Sequence, residues 1–243
     1  MQKYKISLVI PAYNEEKYVS ECLKEVLQNG KELFEIIVVN NASTDNTKDV
    51  VRSFANNYSN VKIVDEPKKG LTKARERGLQ AAAGEIIAYI DADTKIPKGW
   101  AEKINKYFEE NNNAVCLSGP GIYYEQSLIG KTFVWIYWLF LAYPAYFLTG
   151  YMVYGANFAA RKSALEKISG FNQNISFYGE DTDIAGRLSR VGKVKFMPNL
   201  YVYTSARRLH NEGVAKTAIK YIINFVSEVF MKKPVTSEYK DIR

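Results

Sequence analysis

Two carboxylates, Asp91 and Asp93, end a strongly apolar stretch of the chain and are separated by one alanine. The residues before them, 86–90 (IIAYI), have the composition of a buried strand, and alternate side chains of an extended chain share a face. Asp91 and Asp93 then point one way and Ala92 the other. Two like charges side by side require a cation between them, a proton on one of them, or solvent around both. The pair is therefore a candidate site for a divalent cation that carries phosphates, and a solvated strand end is the alternative.

Polar clusters also follow two earlier apolar stretches, at residues 11–16 (PAYNEE) and 40–45 (NNASTD). Asn, Ser, Thr and Asp are common in any turn that joins a strand to a helix. For Ser43, Thr44 and Asp45 we favour this role, with Asp45 or a neighbour capping the next helix.

The apolar pattern places these clusters on a regular scaffold. Its period predicts strands at 6–10, 34–39, 61–64 and 86–90, with helices between them at 15–27, around 50–54 and at 71–83. Such alternation predicts an α/β fold with a mostly parallel central sheet flanked by helices. Ligands bind at the carboxyl ends of the strands in such sheets, so the polar clusters converge on one edge.

Four ordered motifs in this chain resemble those of the inverting family 2 glycosyltransferases, which have a GT-A type nucleotide-binding fold. They are residues 7–16 (SLVIPAYNEE), 35–47 (EIIVVNNASTDNT), 70–94 (GLTKARERGLQAAAGEIIAYIDADT) and 177–193 (FYGEDTDIAGRLSRVGK). Four matches in the right order are far more specific than a lone D-x-D. The resemblance implies transfer of a sugar from a nucleotide diphosphate-sugar to a hydroxyl or phosphate acceptor, with inversion at the anomeric carbon.

The resemblance also implies a metal cofactor. Mg²⁺ or Mn²⁺ near Asp93 and Asp91 would stabilise the departing nucleoside diphosphate, with Asp93 as the direct ligand and Asp91 nearer the ribose or bound through water. His210, the sole histidine, is a candidate third ligand, although a lone histidine is more often a surface residue. Arg207 and Arg208 beside it could instead bind phosphate through their guanidinium groups.

The resemblance makes Asp181 the general base that takes the acceptor proton, with Glu180 as its catalytic partner. The residues alone allow another interpretation. Glu180, Asp181 and Asp183 would form the acidic N-terminus of a helix, which the helix dipole favours. Both interpretations can hold together.

The predicted nucleotide-sugar pocket draws on the ends of several strands. Tyr13 would stack on the base, Glu15 would bond the ribose or base, and Lys73 and Arg75 would reach the diphosphate. Many relatives carry an acidic residue where this chain has Asn40, so the choice between uracil and guanine stays open. The full predicted set is Pro11, Ala12, Tyr13, Asn14, Glu15, Asn40, Asn41, Lys73, Arg75, Asp91, Ala92 and Asp93.

A long apolar segment separates the predicted metal site from the predicted base. Residues 132–160 contain no charged side chain and many aromatic ones. A single membrane crossing would put Asp93 and Asp181 on opposite sides of the bilayer, so the segment returns to the side it entered, lies in the interface, or is buried. We favour contact with one face of a membrane, because Trp and Tyr prefer the interface and Pro144 and Gly150 interrupt the segment.

These inferences define the predicted organisation. Residues 1–212 form the catalytic domain, with a nucleotide-sugar-binding part at 1–95 and an acceptor part at 96–212 that includes the apolar segment 132–154. Residues 213–243 form an amphipathic helix and tail bordered by lysines. We expect a cytoplasmic enzyme, peripheral on the inner face of the cell membrane, with a lipid-linked or glycan acceptor.

Composition narrows the alternatives. The net charge of +7 suits phosphates, but the basic residues are dispersed, so we expect no nucleic-acid partner. The two cysteines match no metal spacing and indicate a reducing compartment. Two other functions stay open, a nucleotidyltransferase on a similar sheet and an inactive membrane-surface binding protein. The first would need a glycine-rich basic loop that residues 11–16 lack. Oligomeric state is not predictable from this sequence.

Overall fold

The structure is a computed structural model that describes residues 3–175 and 179–213, together with Lys220, Ile223 and Ser227. The predicted tail helix at 213–243 lies almost wholly outside the described residues. The strands are β1 Ile6–Ala12, β2 Glu35–Asn40, β3 Val61–Asp65, β4 Ile86–Ile90, β5 Ala114–Ser118, β6 Gly121–Tyr123, β7 Asn157–Arg161, β8 Lys193–Phe196 and β9 Val202–Thr204. The helices are α1 Val19–Asn29, α2 Thr47–Asn57, α3 Leu71–Ala81, α4 Trp100–Glu110, α5 Leu128–Tyr137, α6 Tyr143–Thr149, α7 Lys162–Lys167, α8 Glu180–Ser189 and α9 Arg207–Glu212.

The described strands form one seven-stranded sheet in the order β3-β2-β1-β4-β7-β5-β8 and a small pair, β6-β9. Every neighbouring pair in the large sheet is parallel except those of β7, which runs antiparallel to β4 and β5. The predicted α/β class and mostly parallel sheet are confirmed. The antiparallel insertion of β7 is not among the predicted elements.

Alternation along the strands divides the core into two layers. On β1, Leu8 and Ile10 pack on the side of α1 and α4, whereas Val9 packs on the side of α3 and α8. All three side chains are fully buried. A strand buried on both faces is a continuous apolar run, which is why its sequence shows no polar alternation. The helices on both sides leave the carboxyl ends of β1, β2 and β4 as the open edge of this half of the sheet.

The apolar segment forms a nearly continuous helix. α5 leads through a π-helical turn, Trp138–Ala142, into α6, and Gly150 ends it in the left-handed conformation. Pro144 does not end the helix, because the π-helical turn directly before it accommodates the missing backbone N–H. Residues Gly130–Thr149 form a helix that is long and apolar enough to cross a membrane. Only 12% of the most apolar stretch of this helix is buried in the protein.

Candidate active site

Asp91 and Asp93 lie in a tight turn at the carboxyl end of β4. The strand ends at Ile90, and the Thr94 backbone N–H donates to the Asp91 carbonyl at 3.0 Å. The turn, and not strand alternation, therefore sets the directions of the two side chains. Asp91 leaves 38% of its side chain exposed and Asp93 only 9%. Ala92, predicted to line the pocket, is buried in the core.

Arg75 connects this turn to the predicted catalytic segment. The guanidinium is fully buried and pairs with Glu180 at 2.5 Å, while its other terminal nitrogen lies 3.5 Å from Asp91 Oδ1. That second nitrogen also donates to the Gly155 carbonyl at 2.8 Å. Burial opposes the charge on Arg75, yet Glu180 and Asp91 raise the pKa of its guanidinium. Arg75, predicted to bind diphosphate, thus bridges Asp91 and Glu180 in this structure.

Glu180 and Asp181 open α8, where Glu180 is buried and Asp181 is partly buried. Burial raises the pKa of Glu180 to about 7, against the opposing effect of Arg75. Burial likewise raises the pKa of Asp181, whose Oδ1 accepts from the Thr182 backbone N–H at 2.9 Å. Carboxyls with raised pKa values at a strand-end site are suited to proton transfer. Their acidic helix start is also present, so both interpretations made from the sequence fit the geometry.

Arg207, considered from the sequence only as a residue that could grip phosphate, contacts two carboxylates of the site. Its two terminal nitrogens donate to Glu15, one of them at 2.8 Å, and its Nε lies 2.9 Å from Asp93 Oδ2. Burial opposes its charge, but Glu15 and Asp93 raise the pKa of the guanidinium. Arg207 follows Glu15 by 192 positions, and the only signal in the sequence is a pair of arginines after the last strand.

The loop after β1 is held by the loop after β2. Asn14 has a positive φ of 51°, its side-chain oxygen accepts from the Thr44 backbone N–H at 2.8 Å, and its own backbone N–H donates to the Ser43 hydroxyl oxygen at 3.1 Å. Asp45 accepts from the Thr47 backbone N–H at the start of α2. Ser43, Thr44 and Asp45 therefore have the loop roles expected of them, and Asp45 bonds the first N–H of α2 from the position before the N-cap residue Asn46, whose side chain makes no capping hydrogen bond.

The residues predicted to bind the nucleotide at the ends of β1 and β2 lie close together. Pro11 and Ala12 are buried in β1, and Ala12 is in register with Asn40. The Tyr13 ring lies under the Lys69 ammonium at 3.9 Å. Asn41 anchors the loop before α3, because its amide donates to the carbonyls of Glu66 and Lys68 and its oxygen accepts from the Gly70 N–H.

Asn40 has a defined amide orientation. Its nitrogen donates to Asp65 Oδ1 at 2.7 Å, and its oxygen is buried with no hydrogen-bond partner in the described part of the chain. The hydrogen bond from Asn40 and the ion pair with Lys48 lower the pKa of Asp65, which keeps that carboxylate ionised. An ionised carboxylate only accepts, so it fixes which end of the amide faces it.

Lys73 and His210 lie apart from these contacts. Lys73 lines a surface cavity of about 390 Å³ with Asp65, Glu66 and Arg77. His210 is exposed on α9, and its Nε2 lies 3.5 Å from the amide nitrogen of Gln126. Their predicted roles in binding diphosphate and metal stay predictions.

The donor set at the β4 turn fits a divalent cation that arrives with phosphates. Over residues 3–175 and 179–213, no three His, Cys, Asp or Glu side chains form a closed metal cage. Mg²⁺ is commonly held by one or two carboxylates and by substrate phosphates, with water completing the shell. Asp91 is partly open to solvent and Asp93 pairs with Arg207, so two carboxylates of the required kind lie at this turn and Asp93 is engaged by the protein.

Residues 7–169 match the family described as Glycosyl transferase family 2. A cholesterol galactosyltransferase of Borreliella burgdorferi is 26% identical over 266 residues, covering all of this chain and 72% of that protein. The glycosyltransferase AglE of Haloferax volcanii is 34% identical over 101 residues, or 40% of this chain and 33% of AglE. The chain spans about a third of the length of several curated relatives.

Solved structures show the same fold. A mannosyltransferase of Pyrobaculum calidifontis in complex with GDP-Man and Mn²⁺ has a TM-score of 0.70 at 19% identity and covers 94% of this chain and 64% of its own. Glucosyl-3-phosphoglycerate synthase of Mycobacterium tuberculosis, solved with Mn²⁺, UDP and phosphoglyceric acid, has a TM-score of 0.64 at 18% identity, covering 94% and 79%. The predicted GT-A type fold is confirmed. With a family match over two thirds of its length, this chain belongs to glycosyl transferase family 2.

Proposed function

We propose that the protein is a metal-dependent inverting glycosyltransferase, of the hexosyltransferase type, that uses a UDP- or GDP-linked sugar. The observation that carries the proposal is the buried Arg75, which contacts both Asp91 and Glu180. It brings the carboxylates suited to a diphosphate-bound cation next to the acid pair that opens α8. A single displacement needs a stabilised leaving group and a general base in one site.

Asp93 and Asp91 would hold Mg²⁺ or Mn²⁺, which supplies charge stabilisation for the departing diphosphate. The solved structures above that contain GDP-Man or UDP also contain Mn²⁺, which supports this assignment. The protein itself would orient the two carboxylates. The turn closed by the hydrogen bond from the Thr94 backbone N–H to the Asp91 carbonyl would do this.

Asp181 would take the proton from the acceptor oxygen as that oxygen attacks the anomeric carbon. Burial raises its pKa, which makes Asp181 a stronger base than an exposed aspartate. Glu180 is held by Arg75 and positions the start of α8, so we assign it a positioning role beside Asp181.

The orientation of Asn40 favours uracil or guanine as the base. Asp65 takes the amide nitrogen, so the buried amide oxygen is the atom that lacks a hydrogen bond. An unsatisfied buried acceptor costs about 1–3 kcal/mol, and a ring N–H of the ligand would remove that cost. Uracil and guanine carry such a ring N–H on their Watson–Crick edge, whereas the corresponding ring nitrogen of adenine and cytosine is an acceptor and only their exocyclic amino group donates there.

The helix from α5 to α6 would hold the enzyme at a membrane, where it meets a lipid-linked or glycan acceptor. Phe133, Phe140 and Phe147 are 66%, 68% and 69% exposed and recur every seven residues, which keeps them near one side of the helix. A relative covering this whole chain is a cholesterol galactosyltransferase, which supports a lipid acceptor. We place the enzyme in the cytoplasm on the inner face of the cell membrane.

A binding panel tests the donor and the cofactor. Thermal unfolding would be followed with UDP, GDP, ADP and CDP, each with and without Mn²⁺. We expect UDP or GDP to stabilise the fold in the presence of Mn²⁺, and Asp93→Asn to remove this effect. Asp49→Asn is the matched control, because Asp49 is exposed on α2. Stabilisation by none of the four nucleotides would contradict the proposed function.

A further inference from the structure

Arg207 contacts the carboxylates of Glu15 and Asp93, which are predicted to bind the nucleotide and the metal ion. Its Nη1 and Nη2 contact Glu15, and its Nε contacts Asp93 at 2.9 Å. The Tyr18 ring also lies 4.7 Å from the guanidinium carbon. One planar group therefore links the nucleotide loop after β1 with the turn after β4.

The contacts of Arg207 conflict with binding of the cation. Asp93 Oδ2 faces Arg207, and Asp93 Oδ1 accepts from Thr204 Oγ1 at 3.4 Å. Both oxygens of the carboxylate are thus engaged by the protein. A divalent cation that binds Asp93 through Oδ2 competes with Arg207, because both positive groups then contact the same oxygen.

The backbone at Arg207 is fixed, so the replacement falls to the side chain. Glu125 accepts from the Ala206 backbone N–H at 2.8 Å and from the Ser205 hydroxyl at 2.5 Å. These bonds hold the residues directly before Arg207. A long side chain on an anchored backbone can exchange partners by rotamer changes without moving α9.

We propose that Arg207 is a displaceable internal cation that couples nucleotide binding to metal binding; this inference rests on the proposed function. In the nucleotide-free protein it neutralises Glu15 and Asp93. A nucleotide that binds Glu15 breaks the fork and offers phosphate oxygens, which suit a guanidinium as well as a carboxylate does. Asp93 is then released to the metal ion.

Linkage makes the coupling reciprocal. If nucleotide binding releases Asp93, the metal ion must raise nucleotide affinity by the same factor that the nucleotide raises metal affinity. Removal of Arg207 strengthens the binding of the metal ion in the absence of nucleotide. The further increase in metal affinity that the nucleotide causes is then smaller. A purely structural ion pair would give no such pattern.

Mn²⁺ titrations followed by electron paramagnetic resonance test the proposal. The dissociation constant for Mn²⁺ is measured with and without saturating UDP or GDP, for the wild type, Arg207→Gln and Arg207→Lys. We expect Arg207→Gln to bind Mn²⁺ alone about tenfold more tightly and to show a nucleotide effect reduced by the same factor, equal to about 1.4 kcal/mol. Arg207→Lys should be intermediate, because an ammonium lacks the fork that contacts Glu15 and Asp93 together.

The control variant is Arg52→Gln, which removes one positive charge from an exposed pair with Asp49 and should leave both constants unchanged. A Mn²⁺ constant for Arg207→Gln within about twofold of the wild type would overturn the inference. Wild-type coupling in Arg207→Lys would assign the effect to charge alone and would overturn it too. A wild-type protein that binds neither Mn²⁺ nor nucleotide would instead contradict the proposed function.

Discussion

Arg75 and Glu180 form a 2.5 Å ion pair inside the protein, with 1% and 7% of their side chains exposed. A buried pair of this kind is weak evidence for stability, because desolvation of both charges offsets their attraction. Its position gives it another role. Arg75 comes from α3 on the nucleotide side and Glu180 opens α8, so the pair fixes the two halves of the site relative to each other.

The raised pKa of Glu180 predicts a pH-dependent stability. Its pKa is near 4.5 in an unfolded chain and about 7 in the folded protein, so the folded state binds more protons between these values. This contribution is fully present below pH 4.5 and is lost as the pH rises through 7. Relative to Glu180→Gln, the wild type should lose about 3 kcal/mol of unfolding free energy between pH 4 and pH 8, measured with urea. Parallel pH profiles for the two proteins would contradict the assignment.

Gly155 provides a test of the same pair without changing a charge. A Cβ at Gly155 would lie 2.7 Å from Glu180 Oε1 and 3.1 Å from an Arg75 nitrogen, so the pair has to shift. We expect Gly155→Ala to lower kcat by about tenfold to a hundredfold, because small misplacements of reacting groups are costly. Gly186→Ala is the control, since its Cβ would meet Tyr151 at an ordinary 3.5 Å. Equal kcat values for the two variants would contradict this role.

Asp181→Asn should retain nucleotide binding and lose transfer by about 10²–10⁴-fold, the usual contribution of a general base. The wild-type rate should rise with pH through the raised pKa of Asp181, because the base acts when deprotonated. Asp183→Asn is the matched control on the same helix, where Asp183 pairs with Arg187 at 2.6 Å. If the acidic residues only stabilise the start of α8, the two variants will transfer sugar equally well.

The local pattern of apolar residues was sufficient to predict strands β1 to β4. Residues 86–90 were predicted as a strand and form β4 with the same bounds, because a short run rich in β-branched and aromatic residues between turns favours a strand. The role of Asp45 at the start of α2 follows from local hydrogen bonding in the same way, whereas the hydrogen bond of Ser43 reaches Asn14 in the loop after β1. The strand pattern also placed Asp91 and Asp93 at the edge of the sheet, whereas Glu180 and Asp181 were singled out by the family resemblance.

The features that the sequence did not predict depend on contacts between residues that are far apart in the chain. β7 enters the sheet between β4 and β5, and no local period reveals which strands it joins. Arg207 meets Glu15 across 192 positions, and Asp65 meets Asn40 only because β2 and β3 are in register. Pairs of this kind depend on tertiary packing and not on spacing in the chain.

The exposed aromatic side chains from α5 to α6 predict membrane binding that depends on this surface. A variant with Phe133→Ser, Phe140→Ser and Phe147→Ser removes three exposed rings. Each buried ring contributes about 1.5–3 kcal/mol, so partial insertion of all three should make the wild type bind anionic vesicles at least about a hundredfold more tightly than the variant. Flotation with vesicles of anionic phospholipid measures the difference.

The matched control for this surface is Phe34→Ser with Tyr58→Ser, because these rings are 42% and 45% exposed on other elements. The control should float like the wild type, and thermal unfolding of both variants should match it, since the removed rings contribute little to the core. Flotation lost equally in both variants would indicate a general loss of surface hydrophobicity. Exposed rings that insert into the bilayer would carry the protein upward with the vesicles. Wild-type protein that stays at the bottom of the gradient would therefore contradict membrane attachment through α5 and α6.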